Sequence, residues 1–263
     1  MTASFLRGCG AVVTGGGRGI GAAAARALAE AGARVFVASR SVDQVERVAE
    51  DLRAAGHEAW GEGCDVTDEA SVEGLARSAA ERLGAVDVLV QSAGMAFSAP
   101  LHRMTLAEWE EIFLVNVTGA FLCTRAFLPG MVERGWGRIV HVASVAGLAG
   151  AKYISAYAAS KHALVGFTRS VAAEVAPSGV TVNAVCPGYV DTAMTRESVA
   201  RIAAKTGRSE AEAMVAIVAA NPQGRLIEPG EVARAVTWLC EEEARGVNGQ
   251  AIVIDGGGMA GAR

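Results

Sequence analysis

The chain has 263 residues, of which 51% are hydrophobic and 20% charged, and its formal net charge is −4 at pH 7. A negative net charge without a concentrated basic stretch argues against a nucleic-acid partner, and no window offers the ~18 uninterrupted apolar residues of a membrane-spanning helix. The five cysteines are dispersed and form no CxxC pair. Together with an N-terminus that lacks a secretory pattern, they predict a reduced protein in the cytoplasm.

Short β-branched apolar runs alternate with helical patterns along the chain. The runs predict seven strands, which are Gly10–Thr14, Arg34–Ala38, Glu58–Gly63, Val86–Val90, Gly137–Ala143, Val180–Val185 and Gln250–Ile254. The intervening segments predict helices at Ile20–Ala31, Val42–Ala55, Ala70–Leu83, a long segment from Leu106, and Ser155–Ala176. Most runs are apolar on both faces, as in parallel sheets covered on both sides. We therefore expect an α/β fold over residues 1–263, a single doubly wound Rossmann-type domain with a seven-stranded parallel sheet and helices on both faces.

A glycine-rich turn follows the first predicted strand, in the sequence Thr14-Gly-Gly-Gly-Arg-Gly-Ile-Gly21. Glycines permit positive φ angles and close approach of the backbone to a ligand, and the following helix offers free N–H groups to a pyrophosphate. Its place after the first strand favours phosphate binding over a plain strand-to-helix turn. The candidate cofactor-binding residues in this turn are Gly15, Gly17, Arg18, Gly19, Ile20 and Gly21.

Tyr157 and Lys161 lie four residues apart in a predicted helix, and so on one face of it. A free phenol has a pKa near ~10, and a neighbouring ammonium is expected to lower it and make the phenol a usable acid or base. Ser144 follows a buried apolar run and therefore sits at the carboxyl end of a strand. Tyr153 has no lysine four residues on and is interpreted as a pocket wall. His141 lies inside the buried strand and is interpreted as a packed core histidine.

The TGxxxGxG turn, Ser144 and the Tyr157-x-x-x-Lys161 pair resemble the short-chain dehydrogenase/reductase family, and the overall pattern is similar to its 3-oxoacyl-carrier reductases. The resemblance runs to the Asp-Gly-Gly segment after the last strand. It implies hydride transfer between a nicotinamide cofactor and a carbonyl or secondary alcohol, with a 3-oxoacyl thioester among the candidate substrates. In the implied site Ser144 orients the substrate oxygen and Tyr157 exchanges the proton, while Asn116 helps to hold a water behind Lys161.

The end of the second strand is expected to meet the adenosine ribose, where an acidic residue favours NAD(H) and a basic one NADP(H). Ser39 stands at the usual acidic position and Arg40 follows it, and the resemblance places Arg18 toward the same region. NADP(H) is therefore favoured, with NAD(H) as the alternative if Arg40 is only a solvated surface arginine. Asp65 matches the residue that binds the adenine amino group, although a helix cap is an equal interpretation.

The resemblance implies further cofactor contacts, at Val66, Ala93, Gly94, Tyr157, Lys161, Pro187, Gly188, Val190 and Thr192. One departure is plain, because Gln91-Ser92-Ala93-Gly94 stands where the family usually has Asn-Asn-Ala-Gly. We expect cofactor affinity or loop order to differ as a result. No metal site is predicted, since the four histidines are isolated.

Substrate specificity is expected from the loops after the fourth and fifth strands and from residues 192–221, a predicted mobile lid. An apolar pocket with no charge aimed into it is predicted from Phe97, Val145, Tyr153, Tyr189 and Met194. The basic residues of the lid are interpreted as a solvated face, with a phosphopantetheine-bearing carrier as the alternative partner; they are Arg196, Arg201, Lys205 and Arg208. The resemblance also implies a homodimer or homotetramer.

Three alternative functions stay open. An NAD(H)-dependent alcohol or 3-hydroxyacyl dehydrogenase would use the same site in the other direction. A non-catalytic dinucleotide-binding sensor would keep the glycine turn, but the intact set of Ser144, Tyr157 and Lys161 argues against it. An epimerase or dehydratase of a longer, related family shares Tyr-x-x-x-Lys, but it differs in glycine spacing and carries a larger C-terminal substrate domain.

Overall fold

A computed structural model describes residues 5–260, and its centre is a sheet of seven parallel strands. The strands are β1 (Gly10–Thr14), β2 (Arg34–Ser39), β3 (Ala59–Gly63), β4 (Val88–Gln91), β5 (Gly137–Val142), β6 (Val180–Pro187) and β7 (Ala251–Ile254). All seven predicted strands are confirmed to within two residues at each end. Residues 1–4 and 261–263, the ends of the domain predicted over 1–263, lie outside the described residues.

Nine α-helices lie within residues 5–260. They are α1 (Gly19–Glu30), α2 (Val42–Ala54), α3 (Glu69–Leu83), α4 (Leu106–Phe113), α5 (Gly119–Arg134), α6 (Ser155–Val175), α7 (Ala193–Thr206), α8 (Glu210–Val218) and α9 (Pro229–Trp238). The predicted helix ends are confirmed to within one residue. Gly32, at φ +99°, follows α1, and Gly56, at φ +87°, follows α2, because a left-handed residue ends a helix at little cost when it is glycine.

The strand order is β3-β2-β1-β4-β5-β6-β7. Strands β2 and β3 lie on one side of β1 and strands β4 to β7 on the other, so the topological switch point lies between β1 and β4. Ligands of open α/β sheets bind beyond the carboxyl ends of the strands at such a switch point. The segments that follow β1 and β4 are the glycine turn and the loop from Gln91. The topology therefore brings these two segments to the same edge.

Helices cover both faces of the sheet, as the doubly apolar strands predicted. Val12 and Val13 are neighbours in β1 and both are fully buried, but their side chains point to opposite faces. Val13 packs with the layer formed by α1, α2 and α9, whereas Val12 packs with α3, α5 and the C-terminal half of α6. The α/β fold with a parallel sheet between two helix layers is confirmed.

The segment predicted as one long helix from Leu106 is interrupted by a π-helical turn, Leu114–Thr118, between α4 and α5. Such a turn inserts one extra residue and redirects a side chain, and it is frequent at functional sites. The whole stretch Leu106–Arg134 is long and apolar enough to cross a membrane by length and composition alone, and 44% of its most apolar window is buried inside the fold. Polar residues such as Asn116 and Arg125 interrupt it, so it contains no uninterrupted apolar run of ~18 residues.

Residues 192–221 fold as the two helices α7 and α8, which confirms the helical pattern predicted there. Their apolar side chains form a small cluster of their own, apart from the sheet core, around Val199, Ala203, Ala213 and Ile217. An element that contributes few contacts to the main core can move without unfolding that core.

Candidate active site

Helix α6 begins at Ser155 and places Tyr157 and Lys161 one turn apart. Lys161 is buried, and its Nζ donates a hydrogen bond of 2.8 Å to the carbonyl oxygen of Val142, the last residue of β5. The same Nζ lies 5.8 Å from the centroid of the Tyr157 ring. The ammonium is therefore held between the end of a central strand and the phenol.

Ser144 lies two residues beyond β5 and is buried beside Tyr157. Its Oγ accepts a hydrogen bond of 3.1 Å from the backbone N–H of Ala146, the second residue of the short 3₁₀ turn Val145–Gly147. Because that contact uses a lone pair, the hydroxyl proton of Ser144 can donate to an oxygen, and the phenol oxygen of Tyr157 is one such acceptor. The structure thus brings Ser144, Tyr157 and Lys161 together at one strand end.

Burial controls the protonation of this set. It lowers the pKa of Lys161 to about 8. It raises the pKa of Tyr157, although the Ser144 hydroxyl beside the phenol opposes that rise. The lowered pKa that we expected for Tyr157 next to a lysine is therefore wrong for this structure, since loss of solvation dominates and the ammonium bonds to Val142. A raised pKa keeps the phenol protonated at neutral pH, the form that a proton donor needs.

Asn116 occupies the π-helical turn and is buried. Its Oδ1 accepts from the Met95 N–H at 2.8 Å, while its Nδ2 donates to the Met95 carbonyl and to Ser160 Oγ, both at 3.0 Å. The side chain thus ties the loop after β4 to α6 next to Lys161. Ser160 was not among the predicted site residues, because a small polar residue directly before the motif lysine was its only signal in the sequence.

Of the two rival residues, His141 lies in the core, as predicted, and Tyr153 lies on the surface. His141 is fully buried, and burial together with the charge of Lys161 lowers its pKa to about 3, which confirms a core histidine. Tyr153 is exposed at the rim of the site, and its carbonyl accepts from the Ala99 N–H at 2.8 Å. It has a φ of +69°, the only positive value among the described non-glycine residues.

The glycine turn fits a pyrophosphate by its shape and by its free donors. A β-carbon at Gly15 would lie 2.5 Å from the Ala93 nitrogen, and one at Gly21 would lie 2.2 Å from the Gly15 carbonyl oxygen. Gly17, Gly19 and Ile20 complete this turn and begin α1. The N-cap residue Arg18 makes no side-chain capping bond, and the first turn of α1 carries no acidic residue. The N–H groups at this helix end are therefore available to an anion.

At the adenosine end, Ser39 is half-buried and Arg40 is exposed. A β-carbon at Gly17 would lie 3.2 Å from Ser39 Oγ, so the glycine turn and the end of β2 are adjacent. The guanidinium of Arg18 pairs with Glu197 of α7 at 3.1 Å. That partner was not predicted, because a contact over such a sequence distance leaves no local pattern.

Asp65 follows β3, and its Oδ1 accepts from both the N–H and the hydroxyl of Thr67, which lowers the pKa of the carboxyl. The charge of Arg40 lowers it further, so the two predicted adenosine residues are neighbours. The alternative interpretation of Asp65 as a helix cap is wrong, since Asp68 accepts from the first N–H groups of α3. Val66 is buried against Gly119.

The predicted nicotinamide end lies beside the catalytic set. A β-carbon at Gly94 would lie 3.2 Å from Asn116 Oδ1 and 3.6 Å from Lys161 Nζ. Thr192 contacts the glycine turn, with its Cγ2 3.2 Å from a β-carbon at Gly19.

The segment between β6 and α7 is held by its own hydrogen bonds. Pro187 ends β6, and the Gly188 N–H donates to the Ile254 carbonyl at 3.0 Å. The Val190 carbonyl accepts from the Thr195 hydroxyl at 2.6 Å. The backbone that is predicted to face the nicotinamide is thus fixed on both sides of the turn.

The predicted pocket residues are spread around this site. Tyr189 is exposed and lies near enough to Tyr157 to help raise the pKa of its phenol. Val145 is half-buried in the turn after Ser144, and Met194 is exposed in the first turn of α7.

The surroundings of Phe97 differ from the prediction. The Arg201 guanidinium lies 5.6 Å and the Lys205 Nζ 5.5 Å from the centroid of its ring. Arg201 Nη1 donates a hydrogen bond to the Ala96 carbonyl at 3.4 Å, and Lys205 Nζ donates one to the Ser98 carbonyl at 3.0 Å. Two cations therefore lie beside Phe97, where no charge was expected, although Lys205 is exposed and Arg201 half-buried. The remaining lid cations are exposed: Arg196 pairs with Asp191 at 2.7 Å, and Arg208 lies beyond α7.

Comparison with known proteins agrees with this geometry. A sequence profile of the short chain dehydrogenase family matches residues 10–203. The cis-4-hydroxycyclohexanecarboxylate dehydrogenase of Sinomonas cyclohexanicum is 42% identical over 94% of this chain and 95% of its own length. The 3-oxoacyl-[acyl-carrier-protein] reductase of Vibrio cholerae is 38% identical over 96% of this chain and 98% of its own.

A solved structure gives the same result for the fold. The crystal structure of an actinorhodin polyketide ketoreductase variant with NADPH superimposes with a TM-score of 0.92 at 40% identity, covering 95% of this chain and 96% of that one. The resemblance drawn from the glycine turn and from Ser144, Tyr157 and Lys161 is thereby confirmed. The chain belongs to the short-chain dehydrogenase/reductase family of oxidoreductases.

Proposed function

We propose that this protein reduces a ketone to a secondary alcohol with NADPH and that Tyr157 donates the proton. The observation that carries the proposal is the convergence of Ser144, Tyr157 and Lys161 at the end of β5, beside a glycine turn with free helix N–H groups. A sensor that binds dinucleotides without catalysis has no use for a protonated phenol and a buried ammonium at that place.

The residues act on the substrate oxygen. The proton of the Ser144 hydroxyl bonds to the carbonyl oxygen and orients the carbonyl toward Tyr157. NADPH, when bound, supplies the hydride for the carbonyl carbon. Tyr157 gives its proton to the developing alkoxide, and the Lys161 ammonium, 5.8 Å from the ring centroid, stabilises the phenolate that is left. Alcohol oxidation follows the same steps in reverse.

NADP(H) is the preferred cofactor in this proposal. No carboxylate stands at Ser39, and Arg40 supplies a cation next to Asp65. Arg18 belongs to the same clamp and exchanges its partner Glu197 for the 2′-phosphate. The NADPH carried by the related ketoreductase supports this preference. NAD(H) remains the alternative.

The substrate is a small ketone, and we propose a 3-oxoacyl thioester as the first candidate, supported by the name of the Vibrio cholerae relative. The chain acts as one domain in the cytoplasm, and residues 192–221 serve as its lid. Arg201 and Lys205 hold this lid to the loop around Phe97. Their position at the rim of the site also suits an anionic carrier arm.

We also propose that the protein is a homodimer or homotetramer. Apolar side chains are exposed along the stretch from α4 to α5, at Leu106, Leu114, Phe121 and Val132. An exposed apolar row of this kind marks an interaction surface.

Replacing Tyr157 with Phe is expected to lower kcat for ketone reduction by a factor on the order of 10² to 10⁴, because the proton donor is lost. The matched control is Tyr153→Phe, which removes a hydroxyl at the rim and should leave kcat within about twofold. The measurement is NADPH oxidation with a panel of ketones that includes 3-oxoacyl thioesters. Unchanged turnover in the Tyr157 variant would contradict the mechanism.

Replacing Arg40 with Ala is expected to raise KM for NADPH by roughly 10- to 100-fold, the effect of losing hydrogen bonds to a charged group. KM for NADH should stay within about twofold, because NADH has no 2′-phosphate. Arg82→Ala removes the same charge from the exposed end of α3 and serves as the control. A wild-type enzyme that prefers NADH would refute the proposed clamp.

The reduction rate is expected to fall as the pH rises through the pKa of Lys161, near 8. Below that pH the ammonium stabilises the phenolate, and above it the neutral amine does not. Lys161→Met should lower kcat, and its pH profile of kcat should lack the fall near pH 8. If kcat of the methionine variant still falls near pH 8, a group other than Lys161 causes that fall.

Light scattering is expected to give the mass of a dimer or tetramer, and Phe121→Glu should reduce it, since a charge placed in an apolar interface is costly. Val215→Glu is the control, because Val215 is an exposed apolar residue on the lid helix α8. A monomeric wild-type protein would exclude the proposed assembly.

A further inference from the structure

Four buried polar side chains form a row across the middle of the molecule, next to the catalytic set but not part of it. They are Gln91 at the end of β4, Thr124 on α5, His141 on β5 and Thr168 on α6. Gln91 is the first of the two residues, Gln91 and Ser92, that replace the usual Asn-Asn of the family. A buried polar row is costly unless each member has a partner.

The hydrogen bonds join the four side chains into one chain. Gln91 Nε2 donates to Thr124 Oγ1 and to the Ala120 carbonyl, both at 3.0 Å. Thr124 Oγ1 lies 3.3 Å from His141 Nε2, and His141 Nδ1 lies 2.7 Å from Thr168 Oγ1.

The hydrogen bond at the Thr168 end of the row determines where each proton in the row lies. The Thr168 hydroxyl donates to the Leu164 carbonyl at 2.8 Å, so its oxygen must accept from His141 Nδ1–H. In a neutral imidazole the other nitrogen, Nε2, then accepts from the Thr124 hydroxyl. That hydroxyl in turn accepts from Gln91. Each hydrogen bond in the row therefore has a defined donor and acceptor. The row holds His141 in the neutral tautomer that carries its proton on Nδ1.

The surroundings of His141 also oppose its protonation. Phe167 stacks on the imidazole with ring centroids 5.6 Å apart, and the ring is fully buried. Lys161 on α6 is the charged group whose field reaches it. A second proton on Nε2 would face the Thr124 hydroxyl, which already points its own proton there. A neutral His141 thus leaves Lys161 as the cation of this region.

The row touches each element that carries the catalytic residues. Gln91 precedes the loop that holds Gly94, and Ala120 and Thr124 follow the π-helical turn of Asn116. His141 directly precedes Val142, whose carbonyl binds Lys161 Nζ. Thr168 lies two turns after Lys161 on the same face of α6. A shift of β5 against α6 would move the Val142 carbonyl that holds the ammonium, and with it the ammonium relative to the phenol.

Gln91 has the length that this arrangement needs. An asparagine is one methylene shorter and does not span from β4 to both Ala120 and Thr124 on α5. The other amide atom, Oε1, has no hydrogen-bond partner within residues 5–260, and Gln91 lines a cavity of about 10 Å³ together with Thr14 and Asn116.

We propose that Gln91, Thr124, His141 and Thr168 are positioning residues for the reaction, joined in a neutral row that fixes β5 and α6 and so sets where Lys161 holds its charge. The proposal rests on the proposed function for its kinetic consequence, but not for the state of His141. Disrupting the row changes the position of the Lys161 ammonium. It therefore slows the chemical step and leaves substrate binding unchanged.

Matched threonine variants test the kinetic consequence. Thr124→Val and Thr168→Val keep the shape and remove the hydroxyl, and we expect kcat to fall about tenfold, because small misplacements of a catalytic group slow the chemical step. KM for the ketone should stay within about twofold, and the alkaline limb of the kcat profile should shift. Thr124→Ser and Thr168→Ser restore the hydroxyl and should restore kcat. Gln91→Asn should behave like the valine variants.

Circular dichroism and thermal unfolding show whether each variant is folded, so that kcat is compared among folded enzymes only. Folded valine variants with wild-type kcat and an unshifted profile would overturn the proposal. So would serine variants that are as slow as the valine variants, because they retain the hydroxyl.

Nitrogen-15 NMR of the imidazole rings tests the state of His141 without any turnover, with the His141→Asn spectrum as the assignment. We expect the Nδ1–H tautomer with no titration between about pH 5 and 9. The Nε2–H tautomer, or a titration in that range, would overturn the proposal even in an active enzyme. A wild-type protein that reduces no ketone but shows the expected tautomer would instead refute the proposed function.

Discussion

The close approach of two backbone segments at the switch point of the sheet is the constraint on which the site depends. Gly15 lies against the Ala93 backbone so tightly that a β-carbon would come within 2.5 Å of its nitrogen. This contact brings the start of α1 next to the loop after β4. It thereby sets the start of α1, which is predicted to bind phosphate, and the end of β5 with Ser144 at one edge of the sheet.

Loss of solvation then decides the protonation states along that edge. Burial lowers the pKa of Lys161 and of His141, and it raises that of Tyr157. All three shifts favour the uncharged form of the group. They leave a protonated phenol, a neutral imidazole and a lysine whose pKa, about 8, lies close to neutral pH. Only one positive charge is kept in this buried region, and it is the one that the phenolate needs. Neighbouring charges modify this pattern but do not set it.

The substrate side of the site is built on weaker and more local contacts. The lid cluster around Val199 and Ile217 is separate from the sheet core, and cations on α7 reach across to the loop around Phe97. The pair of Arg18 and Glu197 joins the same lid to the glycine turn. Both ends of the site thus share α7 as a wall. Exposed pairs of this kind contribute little stability, so breaking them would cost the predicted lid little.

The sequence by itself determined the fold class, the seven strands and the family, and it predicted which residues form the catalytic set. These depend on local signals: runs apolar on both faces, glycines at fixed spacing, and a tyrosine and a lysine one helical turn apart. The π-helical turn at Asn116, the Ser160 contact and the partner of Arg18 were decided only by the tertiary structure, because each joins segments that are distant along the chain. The role of Asp68 rather than Asp65 as the cap of α3 depended on where the helix begins. The direction of the Tyr157 pKa was missed for a related reason, since spacing reveals a neighbouring charge but not how deeply the fold buries the phenol.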